Sequence, residues 1–305
     1  MLQTYEECLK ALLASDERFL VLTAENRAAI RDLPNQIGDR FIDVGICEQT
    51  MIGTAAGLAL RGRIPIVHAL ASFLTMRAFE FIRTDVGIPA LPVKLVGSFS
   101  GLISEANGPT HQAIEDVALM RGIPGINVWC PADKEDMLIG LATILKDPAP
   151  YYIRYNDRTS SVSHTKEFYP GVAEIFSEGT DVTILSYGCL FSSCYAAREL
   201  LSEAGVSIGL VNLRTLKPID TATLRRVAQQ SRLLVTVEDH FKIGGLYSIL
   251  CENLIEMGIC VPVLSIAFDG HWFRPGLMDE VLRYEALTPA ALKDRILERL
   301  STLSS

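Results

Sequence analysis

The sequence has no long apolar run, no Cys-x-x-Cys pair and no block of basic residues. Its most apolar stretches are short and broken by charges, so none reads as a membrane-spanning helix. Lysine and arginine number 28 against 36 acids, a formal net charge of −8. With no basic block to neutralise phosphates, the balance argues against a nucleic-acid partner. The seven cysteines are odd in number and scattered, which reads as reduced thiols of a cytoplasmic protein, not a disulfide frame or a zinc site. The opening MLQTYEECLKALLASDERF carries acids early and lacks a basic stretch followed by an apolar core. No signal peptide is read there. Internal repeats and low-complexity segments are also missing.

What is present suits two globular domains. The chain has 305 residues, 49% hydrophobic and 21% charged, enough for two cores of ordinary size. Apolar, β-rich runs at 19–23, 64–70, 93–97, 126–130 and 151–155 alternate with helical patterns at 4–14, 48–60, 73–86, 112–121 and 133–146. Buried strands interleaved with helices imply an α/β fold with a largely parallel sheet covered on both faces. Polar residues 156–170 break the rhythm. A second alternation follows, with strands at 182–186, 206–212, 232–238 and 261–268 and helices at 189–204, 220–229 and 245–257. The expected division is a first domain over 1–160, a linker over 161–178 and a second α/β domain over 179–305.

Two segments concentrate chemistry. FIDVGICEQTMIGTAAGLAL (41–60) places Glu48 where a strand hands over to a helix. On position alone an acid there is simply favoured by the exposed N–H groups and the helix dipole. NGPTHQAIEDVALMRGIP (107–124) sets His111 in a loop forced by Gly108-Pro109, with Gln112 expected to open a helix. A loop histidine by itself reads as a solvated surface residue. Between them, ASFLTMRAFEFIRTDVG (71–87) carries Phe73, Phe79 and Phe81. Helical core packing explains Phe79 and Phe81 taken singly, and explains Phe73, which precedes the helix body, less well.

Together these segments resemble the pyrimidine-binding domain of transketolase, a thiamine diphosphate enzyme. LRTLKPID (213–220) and TVEDHFKIGGLYSIL (236–250) resemble its C-terminal domain. The resemblance implies that Glu48 hydrogen-bonds N1′ of the cofactor's aminopyrimidine and so promotes loss of the thiazolium C2 proton. A carboxylate in an apolar pocket suits such proton sharing. It also implies that Ile46, Phe73 and Phe79 enclose the ring and that His111 reaches the thiazolium and substrate hydroxyls. In that family the diphosphate and its Mg²⁺ or Ca²⁺ are held by another domain with a Gly-Asp-Gly motif, which does not occur in this sequence. An N-terminal partner subunit in an α2β2 assembly is therefore expected, with no metal ligand from this chain. Glu238 and His240, beside the turn allowed by Gly244-Gly245, are expected to be structural.

Substrate-facing positions depart from the family. Asn107 stands where transketolases carry an Asp, and Phe99 where relatives often have a His. AENRAAIRDLP (24–34) shows no clear match to the serine that helps bind sugar phosphate. Arg154 and Arg158 fall where the family places a phosphate-binding Arg. The expected activity is transfer of a two-carbon ketol unit from a ketone donor to an aldehyde acceptor, with a substrate pair other than the usual pentose phosphates. Rival readings are the β subunit of a 2-oxo acid dehydrogenase E1 component, a 1-deoxyxylulose-5-phosphate synthase-like enzyme, and a degenerate non-catalytic paralogue.

Overall fold

A computed structural model describes residues 4–303; residues 1–3 and 304–305, which fall within the ranges 1–160 and 179–305, lie outside the description. The apolar runs form β1 (Phe19–Thr23), β2 (Phe41–Asp43), β3 (Ile64–Leu70), β4 (Lys94–Ser98), β5 (Asn127–Trp129) and β6 (Tyr151–Arg154). They continue as β7 (Glu174–Ser177), β8 (Val182–Ser186), β9 (Ile208–Asn212), β10 (Thr215–Lys217), β11 (Leu233–Phe241) and β12 (Val263–Phe268). Two sheets result, in the orders β10-β5-β6-β4-β3-β1-β2 and β12-β11-β8-β9-β7. All pairings are parallel except β10 with β5 and β7 with β9, both at sheet edges.

Side-chain alternation explains why the strands read as continuous apolar runs. Leu20, Leu22, Val67 and Leu95 pack on one face of the first sheet with Met51, Ile52, Ala55 and Ala56 of the helix Glu48–Leu60. Phe19, Val21, Ile66 and Val96 pack on the other with Leu9, Leu12, Leu141 and Ile144 of the helices Tyr5–Ser15 and Lys134–Lys146. Successive residues point to opposite faces, and both faces are covered, so neither register is polar.

The two units are tied by charged side chains, some buried and some at the surface. Arg154, at the end of β6, donates from Nε to Asp116 at 2.8 Å and from Nη1 to Asp239 at 2.6 Å. Arg121 forms a two-pronged pair with Glu252 (2.8 and 2.6 Å). Lys217 Nζ donates to the carbonyls of Arg121 and Ile123, which end the helix Asp116–Arg121. A second cluster joins Asp133 and Asp136 to His164, Glu174 and Arg214. Asp136, His164 and Glu174 place ligand atoms within 4.8 Å of one another. Both ring nitrogens of His164 already face carboxylates, and Arg214 lies 2.7 Å from Asp136 and 3.0 Å from Glu174. The cations present make this an ion-pair clamp, not a metal cage.

Several elements differ from the sequence reading. The helix expected over 73–86 is a single α-helical turn, Phe79–Phe81, between π-helical segments Phe73–Arg77 and Ile82–Gly87. The helix expected from Gln112 begins at Asp116. Gln112 instead donates its amide to the Phe273 carbonyl of the second unit at 2.8 Å. The linker expected over 161–178 contains β7, an edge strand of the second sheet. Strand β10, from the second half of the chain, joins the first sheet.

Candidate functional site

Parallel strands deliver their carboxyl ends to one rim. Thr23 pairs with Asp43 and His68, Leu70 with Ser98, and Gly97 with Arg154. The segments leaving β1, β2, β3, β4 and β6 therefore emerge side by side, the usual place for a ligand in an α/β sheet. There an open hollow of about 340 Å³ is lined by Ala24, Glu25, Asn26, Ile46, Glu48, Leu70 and Phe73.

Asp43 builds one wall. Its Oδ1 accepts from the backbone N–H groups of Glu25 (3.2 Å) and Gly45 (3.0 Å), while Oδ2 pairs with Arg27 at 2.7 Å. This pins the turn after β2 against the turn after β1. Gly45, at φ 72°, then lets the chain double back, with Cys47 N–H on the Gly45 carbonyl, into the helix that starts at Glu48.

Glu48 is 2% exposed. It heads the buried stripe formed by Met51, Ile52, Ala55 and Ala56, at intervals of three and four. An acid used only as a helix start gains nothing from facing inward, where burial of its charge is costly. The cost is met by Arg77, whose Nη1 lies 2.7 Å from Oε2. The same guanidinium stacks over the Phe73 ring, 4.2 Å from its centre, and Phe73 meets the His111 ring edge-on at 5.1 Å. His111 is half-buried; its Nδ1 lies 2.9 Å from the Thr110 hydroxyl. The turn that presents it closes on Gly108, at φ 83°, whose carbonyl accepts from His111 and Gln112 N–H.

The structure thus brings together Glu48, Ile46, Phe73 and His111. Ile46 is 65% exposed at the mouth of the hollow. Phe79 is half-buried against the core of the first unit and is not among the residues lining the hollow, while Phe81 is exposed. Arg154 is corrected. At 3% exposure and held by Asp116 and Asp239, its guanidinium joins the two units and does not face a substrate.

The remaining candidates lie along the rim. Phe99 leaves β4 at φ 59°, and Glu105 sits at φ 45° in the short helical turns Gly101–Asn107. With Glu25 at φ 71°, three non-glycine residues at this rim occupy the left-handed region, each at a cost of about 1–3 kcal/mol. Asn107 is exposed at the end of those turns. Arg158 is partly exposed and pairs with Glu105 at 3.2 Å. Glu25, Asn26 and Arg77 were not singled out by sequence reasoning. Glu25 and Asn26 come just after Ala24, which follows a buried strand at the ligand edge of a parallel sheet; Arg77 sits four residues after Phe73.

The class of this two-unit α/β protein is given by comparison with known proteins. Residues 1–160 match the family described as transketolase, pyrimidine binding domain, and residues 171–292 the transketolase C-terminal domain. The chain belongs to the transketolase family. It is 36% identical, over 93% of its length and 89% of the relative's, to the 6-deoxy-6-sulfo-D-fructose transketolase subunit SqwH of a Clostridium strain. It is 33% identical to a putative transketolase C-terminal section of Methanocaldococcus jannaschii, covering 98% of this chain and 96% of that one. A solved structure described as a split gene transketolase, inactive beta4 tetramer, superposes with a TM-score of 0.88 at 31% identity, covering 97% of each chain. The 1-deoxy-D-xylulose-5-phosphate synthase of a Synechococcus strain is 34% identical, but this chain spans only 46% of it.

Proposed function

We propose that this chain is one half of a two-chain, thiamine diphosphate-dependent, transketolase-like enzyme that moves a two-carbon ketol unit from a ketone donor to an aldehyde acceptor. The observation that carries the reading is the buried carboxylate of Glu48 opening on a hollow walled by Ile46, Leu70 and Phe73. Those groups fit an aminopyrimidine: apolar surfaces for the ring faces and a carboxylate for a ring nitrogen. Among the described residues none donates to Glu48 Oε1, which leaves one oxygen for that nitrogen. When bound, the cofactor supplies the electron sink for breaking and making the C–C bond. The residues of this chain hold and orient it. Glu48 shares a proton at N1′, Ile46 and Phe73 grip the ring, and His111 meets hydroxyl groups of the reacting sugar.

The diphosphate and its Mg²⁺ or Ca²⁺ belong, in this reading, to an N-terminal partner subunit in an α2β2 assembly in the cytoplasm. Relatives of matching length described as a subunit and as a split-gene product support it, as does Ile46, 65% exposed at the hollow. The test is calorimetric titration of thiamine diphosphate with Mg²⁺ into the isolated chain and into the chain co-purified with its partner. Heat is expected only from the complex; micromolar binding by the isolated chain would sink the two-chain reading.

The substrate pair is proposed to differ from xylulose and ribose 5-phosphates. Phe99 makes the rim apolar where family members often offer an imidazole, and Asn107 removes a charge, while Arg158 retains a cation for an anionic tail. The relative named for a sulfonated fructose is consistent with such a change. A decarboxylating, synthase-like reaction is the second reading, favoured by the 34% identity to the Synechococcus enzyme. Steady-state comparison of pentose phosphates with sulfonated and deoxy ketoses, with CO₂ release from pyruvate measured alongside, separates the two.

A further inference from the structure

We infer that Arg77 is a positioning residue that sets Glu48 and Phe73 as a single unit against the aminopyrimidine. The inference rests on the cofactor reading above. Two contacts converge on this guanidinium, and a third extends from one of its partners. Nη1 lies 2.7 Å from Glu48 Oε2, Cζ lies 4.2 Å from the Phe73 ring centre, and Phe73 in turn touches the His111 ring. The carboxylate, ring and imidazole expected to meet cofactor and substrate are therefore linked through one side chain.

The chemistry of the link is specific to arginine. A planar guanidinium donates along its edge while stacking its face on an aromatic ring; a compact ammonium does one or the other. Arg77 belongs to a π-helical segment, Phe73–Arg77, whose Phe73 carbonyl accepts from Ala78 N–H five residues on. Such widened turns recur at functional sites, and here the turn keeps Arg77 on the Phe73 face, over the start of the helix that carries Glu48. Because Arg77 takes Oε2, the carboxylate cannot rotate without losing its ion pair, and Oε1 is fixed as the free oxygen. Removing Arg77 releases both the acid and the ring. Arg77 is 39% exposed, so its other N–H groups reach solvent and the buried partner, not the arginine, carries the desolvation.

The test uses the co-purified two-chain enzyme, with thiamine diphosphate and Mg²⁺ as the probe. Affinity is read by calorimetry and ring placement by the near-ultraviolet circular dichroism of the bound cofactor. Loss of a group that orients a functional ligand typically costs 10–100-fold, so Arg77→Met is expected to weaken cofactor affinity by roughly tenfold and alter the dichroism. Arg77→Lys, which keeps the charge without the stack, is expected to recover the affinity in part and the dichroism not at all. In a Glu48→Gln background, where the ion pair is reduced to a neutral hydrogen bond but the stack on Phe73 remains, Arg77→Met is expected to cost less affinity than in the wild-type background while still altering the dichroism. A merely structural arginine would weaken binding equally in both backgrounds and would leave the dichroism unchanged; either result overturns the assignment. Failure of the wild-type complex to bind thiamine diphosphate overturns the functional reading and this one with it. Wild-type binding alongside an unaffected Arg77→Met overturns this one alone.

Discussion

Glu48 faces the core side of its helix, an orientation that the proposed functional acid requires and an ordinary helix start does not. A cap needs only proximity to the first N–H groups; it does not need to be 2% exposed above an apolar stripe. The Glu48→Gln variant keeps shape and volume but cannot share a proton with a ring nitrogen. It is expected to fold and associate as wild type while exchange of the cofactor's C2 proton, started by dilution into deuterated solvent and followed by NMR after acid quenching, slows by at least about 100-fold, the low end for a general acid–base group. An unchanged exchange rate would remove Glu48 from the proposed mechanism. The motif singled out this residue before its burial was on view, and its neighbours only in part. Phe73 was marked by its place ahead of the helix, whereas Arg77 was not, because its partners lie 29 residues back and one turn away. Arg154 misled for a related reason. A cation at the end of a strand on the ligand edge resembles a substrate group, and only its two carboxylate partners, 38 and 85 residues distant, reveal the domain joint.

At the scale of elements, runs and periods carried most of the information. The strands 19–23, 64–70 and 182–186 and the helix 48–60 form where the apolar pattern places them. The short edge strands were not legible: Glu174–Ser177 and Thr215–Lys217 owe their structure to partners far along the chain, β9 and β5. The helix Pro289–Leu303 was readable in principle, since Leu292, Ile296, Leu300 and Leu303 fall at helical spacing against the second core. The joint between elements is where a single change does most damage. Arg154 is held by Asp116, which also accepts from the Tyr152 hydroxyl, and by Asp239, all buried. Arg154→Met leaves two carboxylates without their cation, a loss expected to destabilise by about 3–5 kcal/mol. Urea unfolding of the purified chain measures it. The glycine opposite is equally constrained: a Cβ at Gly101, φ 54°, would overlap the Asp239 carboxylate. A shift in the urea midpoint no larger than that of a surface arginine variant would mean the joint is not built as described.

Across the whole molecule, the second charge clamp makes stability depend on pH in a definite direction. His164 is buried between Glu174 (Nδ1, 2.7 Å) and Asp133 (Nε2, 3.0 Å), in a cluster spanning both units and the linker. With a carboxylate at each ring nitrogen, both nitrogens donate and the imidazole is a cation. Burial opposes that charge, but the hydrogen bonds to Asp133 and Glu174 outweigh it and push the group up from 6.5 to about 10. The acids move the other way: despite burial, bonds from His164 hold Asp133 and Glu174 below their ordinary 3.8 and 4.5. A group whose folded pKa is raised stabilises fully below its unfolded value and loses that contribution as pH rises through the folded one. The imidazolium contribution is thus complete below about pH 6.5 and disappears toward pH 10, while the carboxylate contribution fades only as pH falls below about 4.5. Thermal unfolding of the wild-type chain is expected to show a Tm that declines steadily from pH 6.5 to pH 10. In His164→Gln, which keeps hydrogen-bonding groups but no titrating charge, Tm should start lower and decline less over the same interval. Parallel Tm-against-pH curves for the two proteins would show that His164 is neutral in the folded chain, and the clamp would then hold by neutral hydrogen bonds and the Arg214 pairs alone.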